Sequence, residues 1–349
     1  MAMATESLED IFVRKYGSPV RSSGAQWVMH RCPECGRHAL ACNLEHGYVR
    51  CFHCGLRDKE QGSSSAREAR YVDRRAQLDI LAWMVGHCQL SPAYKRFLRD
   101  RGIQDPRKFG LVTAPWDLLS RLRSSGLFTN QQLEDSGLFY PDRNTGCLIP
   151  SSCLKPERLI IPYITDGKLV GIKSRVALSE ESEEKSLRYL TPPGFTISQY
   201  LWNVTLGGQD LYLTEGELKA ITGLSMGHHC ASIPGLVTWS RLLPSLQRLA
   251  TRYRRVFLVL DSDPGYQRSI PHIKTATALC SALPNSCILF LPQADADHKG
   301  ALDTYLVQSS ERDFLGLSED AWNNRQEIYR RWRTQLTYLQ RKEASRVWG

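Results

Sequence analysis

The chain has 349 residues, 42% of them hydrophobic, which is enough for two or three domains with a sizeable core. No apolar run approaches the roughly 20 residues of a bilayer span and the N-terminus lacks a signal peptide's hydrophobic stretch, so a cytoplasmic protein with no membrane partner is expected. A net charge of +9 favours a polyanionic partner, and the eleven cysteines of a chain this large, without an export signal, are expected to be reduced.

Leu8 to Tyr16 carries a short helical pattern to which no chemistry is assigned. Cys32-Pro33-Glu34-Cys35 and Cys51-Phe52-His53-Cys54 then form two Cys-x-x-Cys knuckles about fifteen residues apart. That spacing puts four thiolates at the corners of a tetrahedron, so Cys32, Cys35, Cys51 and Cys54 are expected to hold a structural Zn²⁺ that supplies folding energy to a segment too short for its own core. His30, His38, Cys42, His46 and His53 lie nearby as competing ligands, and the pairing favours the four cysteines. Arg31, Arg37, Arg50, Phe52 and Arg57 would give such a ribbon the cationic and aromatic mixture that suits a single strand's phosphates and bases; a plain structural clip is the alternative.

Residues 58–70 have the polar, Ser-rich composition of a flexible linker. From Tyr71 to about Gly137 the pattern is helical, with Gly102 a plausible helix stop. Leu159 to Tyr163 and Leu169 to Val176 read as two strands around Asp166-Gly167, a hairpin signal. Lys173 and Arg175 alternate onto one face of the second strand, with Arg188 just beyond. Such a face suits a nucleotide triphosphate or a template backbone, although exposed strand positions also carry Lys and Arg for solubility.

Leu211-Tyr212-Leu213 and Val256-Phe257-Leu258-Val259-Leu260 are fully apolar runs separated by a helical stretch from Glu217 to Met226, the pattern of a parallel sheet buried on both faces. Glu215, Asp261 and Asp263 follow these runs, at the carboxyl ends of the strands, where such sheets bind ligands. Three carboxylates gathered there need a cation, and Mg²⁺, which takes oxygen ligands and shares them with phosphate, fits best. Taken singly, Glu-Gly and Asp-x-Asp-x-Gly are ordinary turn sequences; their joint occurrence after buried strands points to a site. His272 to Leu283 reads as a further helix and Cys287 to Pro292 as a third buried strand, leading to Asp295, Asp297 and Asp303. Residues 311–349 are rich in Arg, Trp and Leu and read as C-terminal helix.

The Glu215-Gly216 and Asp261-Ser262-Asp263 arrangement resembles the TOPRIM domain shared by topoisomerases, bacterial-type primases and some nucleases. The likeness extends further: Tyr94 to Ile103, Phe109 to Trp116, Arg158 to Tyr163, Gly167 to Arg175 and Arg188 to Pro193 look like successive segments of the RNA polymerase core of DnaG-type primases. With the cysteine knuckles, the resemblance covers roughly residues 30–310. It implies an α/β fold: a TOPRIM parallel sheet flanked by helices (205–310), preceded by a mixed α+β basic subdomain (71–204) and an N-terminal β zinc ribbon (1–57), and followed by a helical segment (311–349).

The resemblance also implies a DNA primase that makes short RNA primers on a single-stranded DNA template from nucleoside triphosphates. Asp261, Asp263 and Asp303 would hold Mg²⁺ or Mn²⁺, Glu215 would act as general base or further ligand, and Lys173, Arg175 and Arg188 would hold triphosphate or template. The family's ribbon commonly has a histidine where this chain has Cys35. Two positions that are usually acidic in the family are Lys219 and Ala301 here, which implies weaker binding of a second or third Mg²⁺; Lys219 either neutralises a substrate phosphate or pairs with a neighbouring acid. The Glu-Gly-Glu-x-Lys-Ala form resembles primase-type domains of phages, plasmids and other mobile elements. No Gly-x-x-x-x-Gly-Lys-Ser/Thr loop occurs, so a replicative helicase would act in trans. The rival readings are a TOPRIM nuclease and a non-catalytic single-strand-binding replication protein.

Overall fold

The computed structural model describes residues 8–23, 26–29, 32, 40–43, 48–51, 57–59, 72–142, 144–180, 189–202, 207–235, 239–260, 270–292 and 301–348. The chain divides into two compact units, Met1–Arg70 and Tyr71–Gly349. In the first, helix α1 (Leu8–Tyr16) precedes an antiparallel sheet in the order β1 (Pro19–Ser23), β2 (Gln26–Met29), β3 (Leu40–Asn43), β4 (Tyr48–Cys51) and β5 (Arg57–Lys59). Leu40, Cys42 and Val49 of this meander are buried.

The second unit opens with helices α2 (Arg74–His87) and α3 (Pro92–Asp100), which the apolar periodicity anticipates. Asp73 caps α2 by accepting from the Arg75 and Ala76 amides at 2.9 and 3.1 Å, and Ser91 followed by Pro92 starts α3. Gly102 ends that helix with φ +79°, a conformation that strains any residue with a Cβ. Strand β6 (Val112–Thr113) and helices α4 (Leu118–Ser124) and α5 (Asn130–Asp135) follow, then the short pair β7 (Phe139–Pro141) and β8 (Leu148–Pro150). The two-residue strand β6 interrupts a stretch whose pattern reads as wholly helical.

The hairpin forms as β9 (Leu159–Thr165) and β10 (Lys168–Arg175) around Asp166 (φ 50°) and Gly167 (φ 73°), both left-handed as a tight two-residue hairpin turn requires. With β6 and β11 (Tyr189–Leu190) it makes a four-stranded antiparallel sheet, order β11-β10-β9-β6.

A second sheet is built from β12 (Gly208–Glu215), β13 (Cys230–Ile233), β14 (Tyr253–Leu260) and β15 (Ser286–Phe290), all parallel, in the order β13-β12-β14-β15. Helix α6 (Glu217–Ser225) connects β12 to β13, α7 (Trp239–Ala250) lies between β13 and β14, and α8 (Ile270–Ala282) precedes β15. Its strands alternate between two cores. Leu211, Leu213, Val256 and Leu258 pack with Leu242, Leu246, Leu279 and Trp332. Tyr212, Phe257 and Val259 face the opposite core, which also takes Tyr94, Leu98, Leu159, Ile161 and Tyr163 from the antiparallel half. Each fully buried Leu or Phe contributes about 1.5–3 kcal/mol, so this shared core holds the two sheets together. Ile160 and Ile172, on the other face of the hairpin, close a third core with Ile80, Leu81 and Met84. The hairpin is thus buried on both sides.

Helices α9 (Leu302–Gln308), α10 (Glu311–Asn323) and α11 (Arg325–Trp348) complete the chain. No helix of the described residues is long and apolar enough to cross a membrane.

Candidate active site

The edge of the parallel sheet follows from its register. β12 and β14 are adjacent, pairing Leu213 with Leu258 and Thr214 with Val259, so they end at the same edge, β12 on Glu215 and β14 on Leu260. Glu215 is half-buried and sits beside Ile233 of β13. Gly216 then turns the chain into α6 with φ +95°, a value that requires glycine, and its amide donates to the Ile233 carbonyl at 3.4 Å. Asp261 and Asp263, next along the chain from Leu260, lie outside the described residues, as do Asp295, Asp297 and Arg188.

Two residues beyond Glu215 stands a carboxylate to which the sequence analysis gives no role. Glu217, in the first turn of α6, is 1% exposed, and Lys173 Nζ donates to both its oxygens at 2.9 Å. The Tyr163 hydroxyl donates to the same carboxylate. Burial, and next the negative charge of Glu217, hold the Tyr163 phenol well above the ordinary tyrosine range, so it stays a donor. Lys173 and Tyr163 come from β10 and β9, so the antiparallel sheet grips the parallel one at the turn that carries Glu215.

Lys173 and Arg175 do share a face of β10, and that face is turned into the junction of the two sheets. The Lys173 side chain is 12% exposed and lies 4.6 Å from the Tyr189 ring centroid. Arg175 is buried; its guanidinium donates to the Tyr189 hydroxyl at 2.8 Å and lies over the Phe97 ring at 4.9 Å. Arg101 covers that same ring at 4.7 Å and pairs with Asp303. Tyr189, Arg175, Phe97 and Arg101 thus alternate aromatic and cationic groups in one stack ending on the carboxylate of Asp303, an arrangement each planar guanidinium favours.

Asp303 is buried in the first turn of α9, which packs on α6, and the Arg101 carbonyl accepts from Thr222 of α6 at 2.9 Å. Glu215 precedes the first turn of α6, whereas the Arg101 contact falls at Thr222 in its second half. Lys219 is half-buried on α6.

Among the described residues no three His, Cys, Asp or Glu side chains gather as a metal site. Of the four paired cysteines, Cys32 is buried and Cys51 is the last residue of β4, its side chain outside the description; Cys35 and Cys54 lie outside it altogether. Cys42, on β3, has its thiol pushed up to about 11 by burial.

Glu217, Tyr163, Arg101 and Phe97 are the residues that pattern reading leaves without a role. No local signal marks Glu217: it lies 44 residues from Lys173, in a stretch whose pattern reads as plain helix.

No protein-family model matches the chain. Over 111 residues, 31% of its length, it is 30% identical to the Gene 57 protein of Mycobacterium phage D29, and the match spans 66% of that protein. Among solved structures it is similar to the zinc-binding and RNA polymerase domains of the Aquifex aeolicus primase, at 16% identity and TM-score 0.53, over 90% of this chain and 86% of that one. A DnaG primase catalytic domain bound to single-stranded DNA is similar at 18% identity and TM-score 0.53, over 71% of this chain and 82% of that one. The chain therefore has the fold of DnaG-type primase domains, and part of it is similar in sequence to a phage protein.

Proposed function

We propose that the chain is a DNA primase that joins nucleotides into short RNA primers on single-stranded DNA, with Glu215, Asp261, Asp263 and Asp303 as a carboxylate site of the TOPRIM type. The observation that carries this reading is the register of β12 and β14: Glu215 and the segment beginning at Asp261 leave neighbouring parallel strands at one edge, where sheets of this kind bind ligands. Hard oxygen donors are what Mg²⁺ or Mn²⁺ requires, and the half-buried Glu215 at a strand end fits that need. The buried Asp303 fits as a ligand once its oxygens are shared between a cation and Arg101. Bound there, a divalent cation would neutralise charge on a triphosphate and raise the acidity of a primer hydroxyl.

The chain's own groups divide the remaining work. Glu215 accepts the proton of the attacking 3′-hydroxyl or orients it, and the guanidinium of Arg101 holds Asp303 in place. Lys219 and Arg188 meet phosphate oxygens of the incoming nucleotide or the template. Cys32, Cys35, Cys51 and Cys54 hold a structural Zn²⁺ in the N-terminal unit, whose basic and aromatic residues retain the template strand. A replicative helicase supplies unwound template in trans.

The test is an incubation with single-stranded DNA, labelled ribonucleotides and Mg²⁺ or Mn²⁺. The expected result is template-dependent oligonucleotides from the native chain and at least a hundredfold less from Asp261→Ala, on the order of what loss of a key electrostatic group removes. Degraded template would make the protein a nuclease instead, and tight binding without either product would make it a binding protein.

A further inference from the structure

We infer that Lys173, Tyr163 and Glu217 form a buried clamp that positions Glu215, and that Lys173 is a positioning residue rather than a nucleotide ligand; this rests on the reading of Glu215 as a site carboxylate.

A carboxylate 1% exposed and an ammonium on a side chain 12% exposed each lose most of their hydration, and such groups persist inside a protein only when paired and hydrogen-bonded. Glu217 meets that condition fully: two bonds of 2.9 Å from Lys173 and one from the Tyr163 hydroxyl occupy both oxygens. A carboxylate so engaged has little left to offer a cation, which separates Glu217 from Glu215 although they are neighbours in sequence. Lys173 is equally committed. Beyond Glu217 it touches the face of Tyr189, which itself bonds to Arg175. A lysine able to bind triphosphate would need its ammonium free and solvated; this one is neither.

The clamp acts through chain geometry. Glu215, Gly216 and Glu217 are consecutive, and the turn at Gly216 has φ +95°. Glu217 ties the start of α6 to β9 and β10, two residues from Glu215. The negative charge also sits at the amino end of a helix, where the backbone dipole favours it. Groups that hold ligand residues in this indirect way commonly govern metal affinity about as strongly as some ligands do.

Three variants of the full chain decide the matter: Lys173→Met, Tyr163→Phe, and the double variant Lys173→Met/Glu217→Gln, which removes both charges and keeps an acceptor for Tyr163. Binding of Mn²⁺ is measured by electron paramagnetic resonance titration, alongside thermal unfolding and the primer-synthesis assay. Lys173→Met is expected to weaken Mn²⁺ binding and to lower kcat by about ten- to a hundredfold, leaving the nucleotide KM within about twofold. Tyr163→Phe, which alters no charge, is expected to weaken Mn²⁺ binding by about tenfold. The double variant is expected to recover the unfolding temperature to near native, because a buried pair removed as a unit leaves no orphaned charge, while Mn²⁺ binding and kcat stay lowered and the nucleotide KM remains within about twofold of native.

A nucleotide KM raised in both Lys173→Met and the double variant would place Lys173 on the nucleotide and overturn the inference. So would a Tyr163→Phe chain with native Mn²⁺ affinity. If the native chain makes no primers, the primase reading fails, while the Mn²⁺ titrations and the unfolding rescue still decide the clamp.

Discussion

Glu215 and Glu217 carry the same charge two positions apart, and the structure gives them different surroundings. One is half-buried at the end of strand β12; the other is enclosed by Lys173 and Tyr163. The difference follows from a strand turning into a helix, which sends successive side chains in unrelated directions. Glycines at this junction are constrained as well. A Cβ on Gly171 would come within 2.5 Å of the Phe195 ring, and that ring lies edge-on to Tyr163 at 5.7 Å. Gly171→Ala is therefore expected to lower stability by about 1–3 kcal/mol through overpacking, read as a lower urea midpoint with an unchanged slope. Sequence made Lys173 and Arg175 legible as cations on one strand face, because alternation is a local property. It could not show that their face is covered, since Glu217 and Phe97 reach them from segments 44 and 78 residues away.

At the scale of elements, the apolar runs at 211–213 and 256–260 were legible as buried strands, and both form, the first longer at both ends and the second at its start. Strand β13 was not: Cys230-Ala231-Ser232-Ile233 is four residues long and carries a serine whose backbone is bonded in both directions to Trp202. A pairing of that kind leaves no periodic trace. The sheet's opposite end is fixed by charge. Asp210 of β12 is registered with Arg255 of β14, whose guanidinium forks onto both carboxylate oxygens at 2.6 and 2.7 Å and reaches Glu319 of α10 at 2.5 Å. Asp210→Asn is expected to cost about 1.5–3 kcal/mol in urea unfolding, the range for a lost charge-assisted bond.

The cysteines of the second unit give the pH dependence. Burial pushes the thiols of Cys88 up to about 11 and of Cys287, on β15, up to about 12. The folded chain then holds protons that the unfolded chain releases above about pH 8.5, so stability is fully present below that pH and falls as pH rises toward the folded values. The urea midpoint should drop between pH 8.5 and 10.5, roughly the lower part of that window, and Cys287→Ala should flatten the drop. A midpoint that does not move with pH would contradict this.

For the molecule as a whole, the division at residue 70 separates chemistry proposed to depend on different metals. Elemental analysis of the purified chain is expected to find about one zinc per chain, lost on conversion of Cys32 and Cys35 to Ser. Net charge predicts a further global property. Affinity for a single-stranded oligonucleotide should fall at least about tenfold between 50 and 200 mM salt, as released counterions require. A flat salt response would mean that the positive excess does not face nucleic acid.

The proposed chemistry needs one edge of the parallel sheet to gather a divalent cation, and the most direct measurement is anomalous diffraction from a crystal soaked in Mn²⁺. The expected result is a manganese peak at about 2.0–2.3 Å from carboxylate oxygens of Glu215 and Asp261, off the carboxyl ends of β12 and β14. A crystal in which Glu215, Asp261 and Asp263 are joined to arginines or lysines, with manganese elsewhere or nowhere, would contradict it.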